Sequence, residues 1–378
     1  MNIVIRRYWL KRLRELLKQR SIIWLSGVRR VGKTTLVKQL GEIEYFNCDL
    51  PSVRRQLKDP ESFLSSLSSE RIIIFDEIHQ VENPTQVLKV AADEFSHLRI
   101  VATGSSTLAA TKKFRDTLTD RKRNLHLTPI LWSECLKDFN VSDLDYRLLR
   151  GGLPPALLSN SVDSEFYEEW LDSYFARDVQ ELFGVRNRAG FLKLLTLIFY
   201  RSSGILDVTD LAKESGLSRP TVLSHLDAME ISHTVFLLRP FWGRTEREIK
   251  KRPKIYAFDT GFISHIRGWR DIRDEDRGQL WEVLVLDELL QKTPKRNLYY
   301  WRNKSGKEVN FIIDRGDAGV DAIEAKVQVD SFNVRNLSAF RELYPKGENY
   351  LALPFVKKTY KLKFGELTVK LCRPDEIP

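Results

Sequence analysis

Only three cysteines, Cys48, Cys135 and Cys372, are spread over 378 residues. They lie far apart and in no C-x-x-C arrangement, which excludes a disulfide framework and a cysteine-ligated zinc knuckle and fits a reducing compartment. No apolar run is long enough to span a bilayer. The basic N-terminus also lacks the uniform apolar core of a signal peptide. Trp9, Leu10, Leu13, Leu16 and Leu17 instead recur at helical spacing, with Lys11, Arg12, Arg14 and Lys18 opposite them. A cytoplasmic protein with no membrane attachment is expected. Acidic residues are in deficit, 51 against 61 Lys and Arg, for a formal charge of +10. That excess predicts a polyanionic partner such as nucleic acid, the alternative being a surface that is basic only for solubility.

A chain of this length exceeds what one hydrophobic core supports, so two or three domains are expected. The run Ile22-Ile23-Trp24-Leu25 is short and fully apolar, as a buried parallel strand is, and it leads directly into Gly27-Val28-Arg29-Arg30-Val31-Gly32-Lys33-Thr34. The pattern is G-x-x-x-x-G-K-T. Glycines let the backbone curl so that its N–H groups face phosphate, Lys33 reaches the β- and γ-phosphates, and Thr34 offers a hydroxyl to magnesium. The helix that follows aims its positive end at the same phosphates. ATP with Mg2+ is the expected cofactor, cradled by residues Gly27, Val28, Arg29, Arg30, Val31, Gly32, Lys33, Thr34 and Thr35.

A second apolar strand, Ile72-Ile73-Ile74-Phe75, ends in Asp76-Glu77. Asp76 is expected to join Thr34 at the metal and Glu77 to polarise the attacking water, the bland alternative being a pair that opens a helix at a strand end. A third strand, Arg99-Ile100-Val101-Ala102, runs into Thr103-Gly104-Ser105-Ser106, where Ser105 is the candidate γ-phosphate sensor. Tyr45-Phe46-Asn47 and Leu125-His126-Leu127 supply two more strands, giving a five-stranded parallel sheet with helices on both faces. The basic stretch from Lys112-Lys113-Phe114-Arg115 to Arg121-Lys122-Arg123 offers Arg121 as an arginine finger, which if given in trans requires a homo-oligomer. A phosphate-contacting or solvated loop explains the same charges.

Beyond the sheet a helical stretch from Trp132 to about Phe183, broken at Gly151-Gly152-Leu153-Pro154-Pro155, is expected to lid the nucleotide. Helices over 191–200, 208–214 and 218–229, with Gly216 in the last turn, have helix-turn-helix spacing, and a strand follows at Thr234–Leu238, as in a winged helix. Ser218 caps the third helix, Val222, Leu223, Leu226 and Met229 form its buried stripe, and Arg219, Thr221, Ser224 and His225 are left exposed as nucleic-acid candidates. Such a unit binds DNA or serves as a packing module. In the last third, a helix carrying Glu282 precedes strands at 298–302, 309–313 and 322–326. Alternation puts Glu324 and Lys326 on one face, as a metal-dependent nuclease of the PD-(D/E)XK type requires. The acid such a site needs on the preceding strand is replaced by neutral Asn310, which predicts a silent nuclease-like fold. An ordinary ion pair between Glu324 and Lys326 is the plainer reading.

The segments GVRRVGKT, IIIFDE, ATGSS, GGLPPA, YFARDV, LSRPTV, PKIYAFDTG, YYWRNKSGKEVNF and IEAK occur in that order from end to end. With them the whole chain resembles a family of bacterial and archaeal AAA-type ATPases whose C-terminal half is a domain of unknown function related to PD-(D/E)XK nucleases. The resemblance implies an ATPase core at 1–131, a helical lid at 132–189, a winged helix at 190–250 and a nuclease-like α/β domain at 251–378. It supplies Arg121, where many members have Gly-Arg and this chain has Asp120-Arg121. Many members also read EVD where this chain has Glu308-Val309-Asn310. The expected function is ATP hydrolysis coupled to remodelling of, or movement along, nucleic acid, DNA ahead of RNA. A nucleotide-dependent switch acting on a protein partner and an ATP-regulated nuclease are the alternatives.

Overall fold

The computed structural model describes residues 4–104, 117–241 and 252–378. Five strands open the fold: β1 (Ile22–Ser26), β2 (Ile43–Asn47), β3 (Ile72–Asp76), β4 (Arg99–Thr103) and β5 (Lys122–His126). They form one all-parallel sheet in the order β2-β3-β4-β1-β5. The middle strands are apolar on both faces because both faces are covered. Ile23, Leu25, Ile74 and Val101 enter a core that includes the N-terminal helix Arg7–Leu17, whereas Ile22, Trp24, Ile73 and Phe75 enter a second core with Val87, Leu88 and Ala91 of helix Pro84–Glu94. The amphipathic N-terminal pattern holds: Trp9, Leu10, Leu13, Leu16 and Leu17 are all buried.

The middle of the chain is helical, with helices Trp132–Lys137, Leu144–Arg150 and Ser164–Tyr174 followed by a π-helical turn, Phe175–Gln180. Three further helices, Arg188–Tyr200, Val208–Ser215 and Arg219–Ile231, are interleaved with the strands of a small antiparallel sheet. That sheet joins β6 (Gly204–Ile205), β7 (Val235–Leu238) and β8 (Lys254–Ala257) in the order β6-β8-β7. The expected cap is present, Ser218 accepting from the Thr221 amide, and Asp207 caps the preceding helix through Thr209 and Asp210. The buried face of helix Arg219–Ile231 differs from expectation. Val222, His225, Leu226 and Met229 are buried, and Leu223 is 50% exposed. Positions i, i+3, i+4 and i+7 share a helical face, and His225 falls on it while Leu223 stands about 100° away. The His225 ring meets Phe191 edge-on at 5.2 Å, and burial lowers its pKa, so it is a neutral packing group and not an exposed base reader. Arg219 and Ser224 are exposed and Thr221 is partly so.

The last part is a mixed sheet of β9 (Leu298–Arg302), β10 (Glu308–Asp314), β11 (Val320–Ala325), β12 (Asn349–Ala352), β13 (Tyr360–Phe364) and β14 (Leu367–Cys372). Its order is β13-β14-β12-β11-β10-β9. Helix Val334–Leu343 packs on one face through Leu337 and Phe340, and helix Asp274–Lys292 contributes Trp281, whose indole N–H donates to the Ala352 carbonyl at 3.0 Å.

Two sequence segments that read as separate turns meet in space. A Cβ on Gly151, at φ +70, would lie 1.9 Å from Asp259 Oδ1, and one on Gly152 would lie 2.3 Å from Arg147 Nη2. Asp259 accepts from the amides of Gly152 at 2.6 Å and Gly261 at 2.8 Å, while buried Arg147 donates to the Ile130 carbonyl and Thr260. Only glycine allows that approach. The lock sets the start of Pro154-Pro155, which face the site described next.

Candidate functional site

The P-loop is built from strained backbone. Gly27 has φ +152 and Gly32 +97, and Arg30 adopts the left-handed region at +60. A Cβ on Gly27 would meet the Leu127 carbonyl oxygen at 2.5 Å, so glycine there is enforced by the residue that follows β5 as well as by the turn. Helix Lys33–Lys38 starts immediately after. Lys33 Nζ folds back onto the carbonyls of Gly27 at 2.8 Å and Val28 at 3.3 Å, and burial lowers its pKa.

Parallel pairing brings the ends of β1, β3 and β4 together, and with them the expected metal ligands. Thr34 Oγ1 donates to Asp76 Oδ2 at 2.7 Å, and Asp76 is buried. Two further hydroxyls hold the same carboxylate: Tyr45 on β2 donates to Oδ2 at 2.5 Å, and Thr103 at the end of β4 donates to Oδ1. Glu77 sits at φ +54, its amide donating to Thr103 Oγ1 at 3.0 Å. This fixed backbone turns the carboxylate toward the P-loop side, 3.2 Å from His79 Nδ1. Burial pushes the Glu77 carboxyl up, but the His79 hydrogen bond and the charges of Lys33 and Arg29 outweigh it and hold the group below the usual carboxylate range.

A cavity of about 550 Å3 opens over these groups. The P-loop from Gly27 to Thr35 forms its floor, and Glu77, His79 and Gly104 one side. The opposite wall comes from later in the chain: Pro154, Pro155, Trp170, Tyr174, Arg177 and Asp178, with Ser232 and Thr234 behind them. Trp170 stacks on Tyr174 and Phe258, and its indole N–H donates to the Arg29 carbonyl at 3.0 Å, tying that wall to the P-loop. Arg29 is ion-paired with Asp178, whose carboxyl is raised by burial although Arg29 pulls the other way. Tyr174 OH shares hydrogen bonds with Ser232 Oγ at 2.7 Å and Thr234 Oγ1 at 2.9 Å. Arg177 makes no ion pair among the described residues and is exposed on the cavity side of the π-helical turn.

The donor set fits a triphosphate with magnesium. Thr34 and Asp76 are hard oxygen ligands already hydrogen-bonded to each other, and Lys33 and Arg177 supply positive charge beside the curled amides. Tyr45, Thr103, Arg177 and Asp178 were not anticipated in these roles. Thr103 opens the Thr-Gly-Ser-Ser string, and Arg177 and Asp178 lie in YFARDV, but no spacing rule links them to the P-loop. Of the residues expected here, Ser105 lies outside the described residues, as do Lys112, Lys113, Phe114 and Arg115. Arg121 is described and lies away from the cavity. It pairs bidentately with Asp93 at 2.6 and 3.2 Å and donates to the Thr117 carbonyl at 2.9 Å.

The nuclease-like residues also converge, around a lysine. Lys254 Nζ on β8 lies 2.8 Å from Glu282 and 2.6 Å from Glu308, and Tyr256 OH donates to Glu282 at 2.6 Å. Asn310 donates its amide to Glu282 Oε2 at 2.8 Å and accepts from the Ala325 amide at 3.0 Å. Lys326 pairs with Glu324 at 3.1 Å, and burial pushes the Glu324 carboxyl up to about 7. Among the described residues no group of three or more His, Cys, Asp and Glu side chains could hold a metal ion. The carboxylates are instead held by two ammonium groups and hydrogen-bonded by an amide.

Three family models match the chain in series: an AAA domain over residues 19–136, a domain of unknown function (DUF8612) over 141–273, and another (DUF4143) over 277–371. Rv2008c of Mycobacterium tuberculosis, described as uncharacterized, is 27% identical over 323 residues, 82% of this chain and 72% of its own length. MJ1544 of Methanocaldococcus jannaschii, also uncharacterized, is 26% identical over 323 residues, 76% of this chain and 71% of its own. Among solved structures, the Walker-type ATPase paby2304 of Pyrococcus abyssi aligns with a TM-score of 0.43 at 16% identity, covering 70% of this chain and 96% of that one. The Aeropyrum pernix ORC1 protein in complex with DNA aligns at 0.30 and 12%, covering 70% and 93%. No helix among the described residues is long and apolar enough to cross a membrane. Residues 19–136 match an AAA domain, and the five-stranded all-parallel sheet formed within them gives the chain a P-loop NTPase fold.

Proposed function

We propose that this chain is a magnesium-dependent ATPase that acts on nucleic acid. The observation that carries hydrolysis is the hydrogen bond of Thr34 to Asp76 beside an ionised, backbone-fixed Glu77 that lines one side of the P-loop cavity. In this reading Thr34 and Asp76 hold magnesium, which neutralises charge on the β- and γ-phosphates when bound. Lys33 exchanges the Gly27 carbonyl for phosphate oxygen, a charge-assisted bond that offsets the cost of its burial. Glu77 orients a water and accepts its proton, and His79 fixes the carboxylate rotamer. Arg177, which lines the cavity without an ion pair among the described residues, serves the transferring phosphate from the same chain, and the Pro154, Pro155 and Tyr174 wall receives the base.

The net charge of +10 and the exposed Arg219 and Ser224 on helix Arg219–Ile231 support nucleic acid as the partner, with the three helices and the β6-β8-β7 sheet read as a winged helix. Leu223, 50% exposed in the middle of the same helix, favours a second reading, a nucleotide-dependent switch with a protein partner docked there. Nuclease action has less support, because Lys254 sits between the acids that would need to bind metal and Asn310 stands where an acid is required. Steady-state turnover with Mg-ATP, alone and with single-stranded, duplex and branched DNA, separates the readings. Stimulation by one DNA form is expected. Tight ATP binding with slow turnover indifferent to every DNA form would favour the switch.

A further inference from the structure

The edge strand β13 carries the sequence Tyr-Lys-Leu-Lys-Phe and follows Phe355-Val356-Lys357-Lys358-Thr359. Among the described residues it pairs only with β14, and Tyr360, Leu362, Lys361 and Lys363 are all exposed, Tyr360 at 45%. Strand alternation sorts them by face. Tyr360 and Leu362 are opposite Leu371 and Val369, on the face that carries the core. Lys361 and Lys363 are opposite Lys370 and Thr368 on the other. Lys361 and Lys370 are thus directly paired like charges, an arrangement that costs stability unless an anion lies between them. Lys370 reaches Glu348 at 3.2 Å, whereas Lys357, Lys358, Lys361 and Lys363 have no acidic partner among the described residues. One lysine is enough to blunt an edge strand against aggregation. Four within seven residues, bordered by exposed Tyr360, Leu362 and Phe355 at 60%, exceed that need.

We infer that this ribbon is a binding surface for single-stranded nucleic acid, with the backbone phosphates along the lysine face and unpaired bases against Tyr360 and Phe355. Positive charge with adjacent aromatic rings is the combination that holds single strands without reading sequence. A duplex would leave the aromatic face unused, since its bases are already stacked. The inference rests on the nucleic-acid reading above and gives it a second surface far along the chain from helix Arg219–Ile231.

The test uses the full chain and a fluorescently labelled oligothymidylate of about 20 nucleotides, with a duplex of equal length and polyglutamate as comparisons. Lys361→Ala with Lys363→Ala is expected to weaken oligothymidylate binding at least about tenfold. It should also reduce the slope of log affinity against log salt by about 1.4, at about 0.7 for each of two phosphates no longer neutralised. Tyr360→Ala is expected to weaken binding by about fivefold or more without changing that slope. Unchanged thermal unfolding and unstimulated ATP turnover in all variants would confirm that the fold is kept. Wild-type binding that both variants leave intact overturns the ribbon while sparing the nucleic-acid reading. Duplex bound as tightly and weakened equally in the variants, or polyglutamate bound as tightly, overturns the choice of a single strand. A wild type that binds no nucleic acid and whose turnover none of them alters removes both.

Discussion

Asp76 accepts hydroxyl hydrogens from Thr34, Tyr45 and Thr103, each from a different segment, so the carboxylate is aimed before any cation arrives. Preorganisation of this kind lowers the cost of assembling a metal site. Tyr45→Phe is expected to keep hydrolysis within about tenfold of the wild type, because Thr34 and Thr103 still hold the ligand, and magnesium-dependent turnover measures it. Arg177→Ala removes from the cavity a cation with no ion pair among the described residues and is expected to lower kcat/KM for ATP by about 10- to 100-fold, the loss of one charge-assisted hydrogen bond of about 1.5–3 kcal/mol. Arg121→Ala distinguishes its two roles. As a finger given to a neighbouring copy it would cost about 10³-fold or more in turnover. As a brace to Asp93 at the sheet edge it leaves turnover unchanged, which is the expected result. The P-loop and Asp76-Glu77 were legible in the sequence because the chemistry fixes both residue type and spacing there. Tyr45, Arg177 and Asp178 were not, since the sheet order and the packing of a later helix bring them to the site and neither leaves a local pattern.

Among the elements, the segment Ser232-His233-Thr234 separates two spaces. Ser232 and Thr234 line the nucleotide cavity, and His233 lines a second one of about 470 Å3, where its ring lies 3.8 Å from that of His126. His126 in turn contacts Ser26, next to the P-loop, at 3.3 Å. Burial lowers the pKa of both rings, that of His233 to about 4. With the folded value below the unfolded one, acidification from about pH 6.5 toward 4 protonates the unfolded chain first, so this contribution to stability is present above 6.5 and is lost on the way down. His233 has φ +60, which asparagine tolerates. His233→Asn is therefore expected to lose less stability than the wild type across that window, by about 3 kcal/mol, as followed by denaturant unfolding at stepped pH. Strand β8 is a second joint, since Lys254 ties the β6-β8-β7 sheet to Glu282 and Glu308. Lys254→Met is expected to destabilise by about 3–5 kcal/mol because two largely buried carboxylates lose their counter-ion. The apolar strands β1, β3 and β4 were readable as strands because they are buried on both faces. The buried face of helix Arg219–Ile231 departs from its sequence pattern because Leu223 and His225 invert the usual preference, an apolar residue outside and a histidine within.

For the whole molecule, the P-loop end of the chain is packed against segments that come much later in it. Residues 154–178 and 232–234 wall the cavity. Trp132 donates to the Pro354 carbonyl at 3.0 Å, and Ser133 is held by buried Glu288 at 2.7 and 3.1 Å, linking the AAA domain to the C-terminal sheet. In the proposed reading, a change of nucleotide state would have packed contacts leading to both helix Arg219–Ile231 and the mixed sheet. These routes were closed to sequence reading, because each joins residues far apart in the chain through tertiary packing alone. The succession of strands and helices was open to it, since each stretch carries its own hydrophobic period. The central claim is that this cavity binds and hydrolyses ATP with the residues named. The most direct measurement is magnesium-dependent ATP turnover alongside equilibrium ATP binding for the wild type, Lys33→Ala and Glu77→Gln. Turnover is expected in the wild type, loss of both binding and turnover in Lys33→Ala, and binding retained with turnover down by about 10²- to 10⁴-fold in Glu77→Gln. Turnover in Glu77→Gln equal to that of the wild type, or a wild type that does not bind ATP, would contradict that claim.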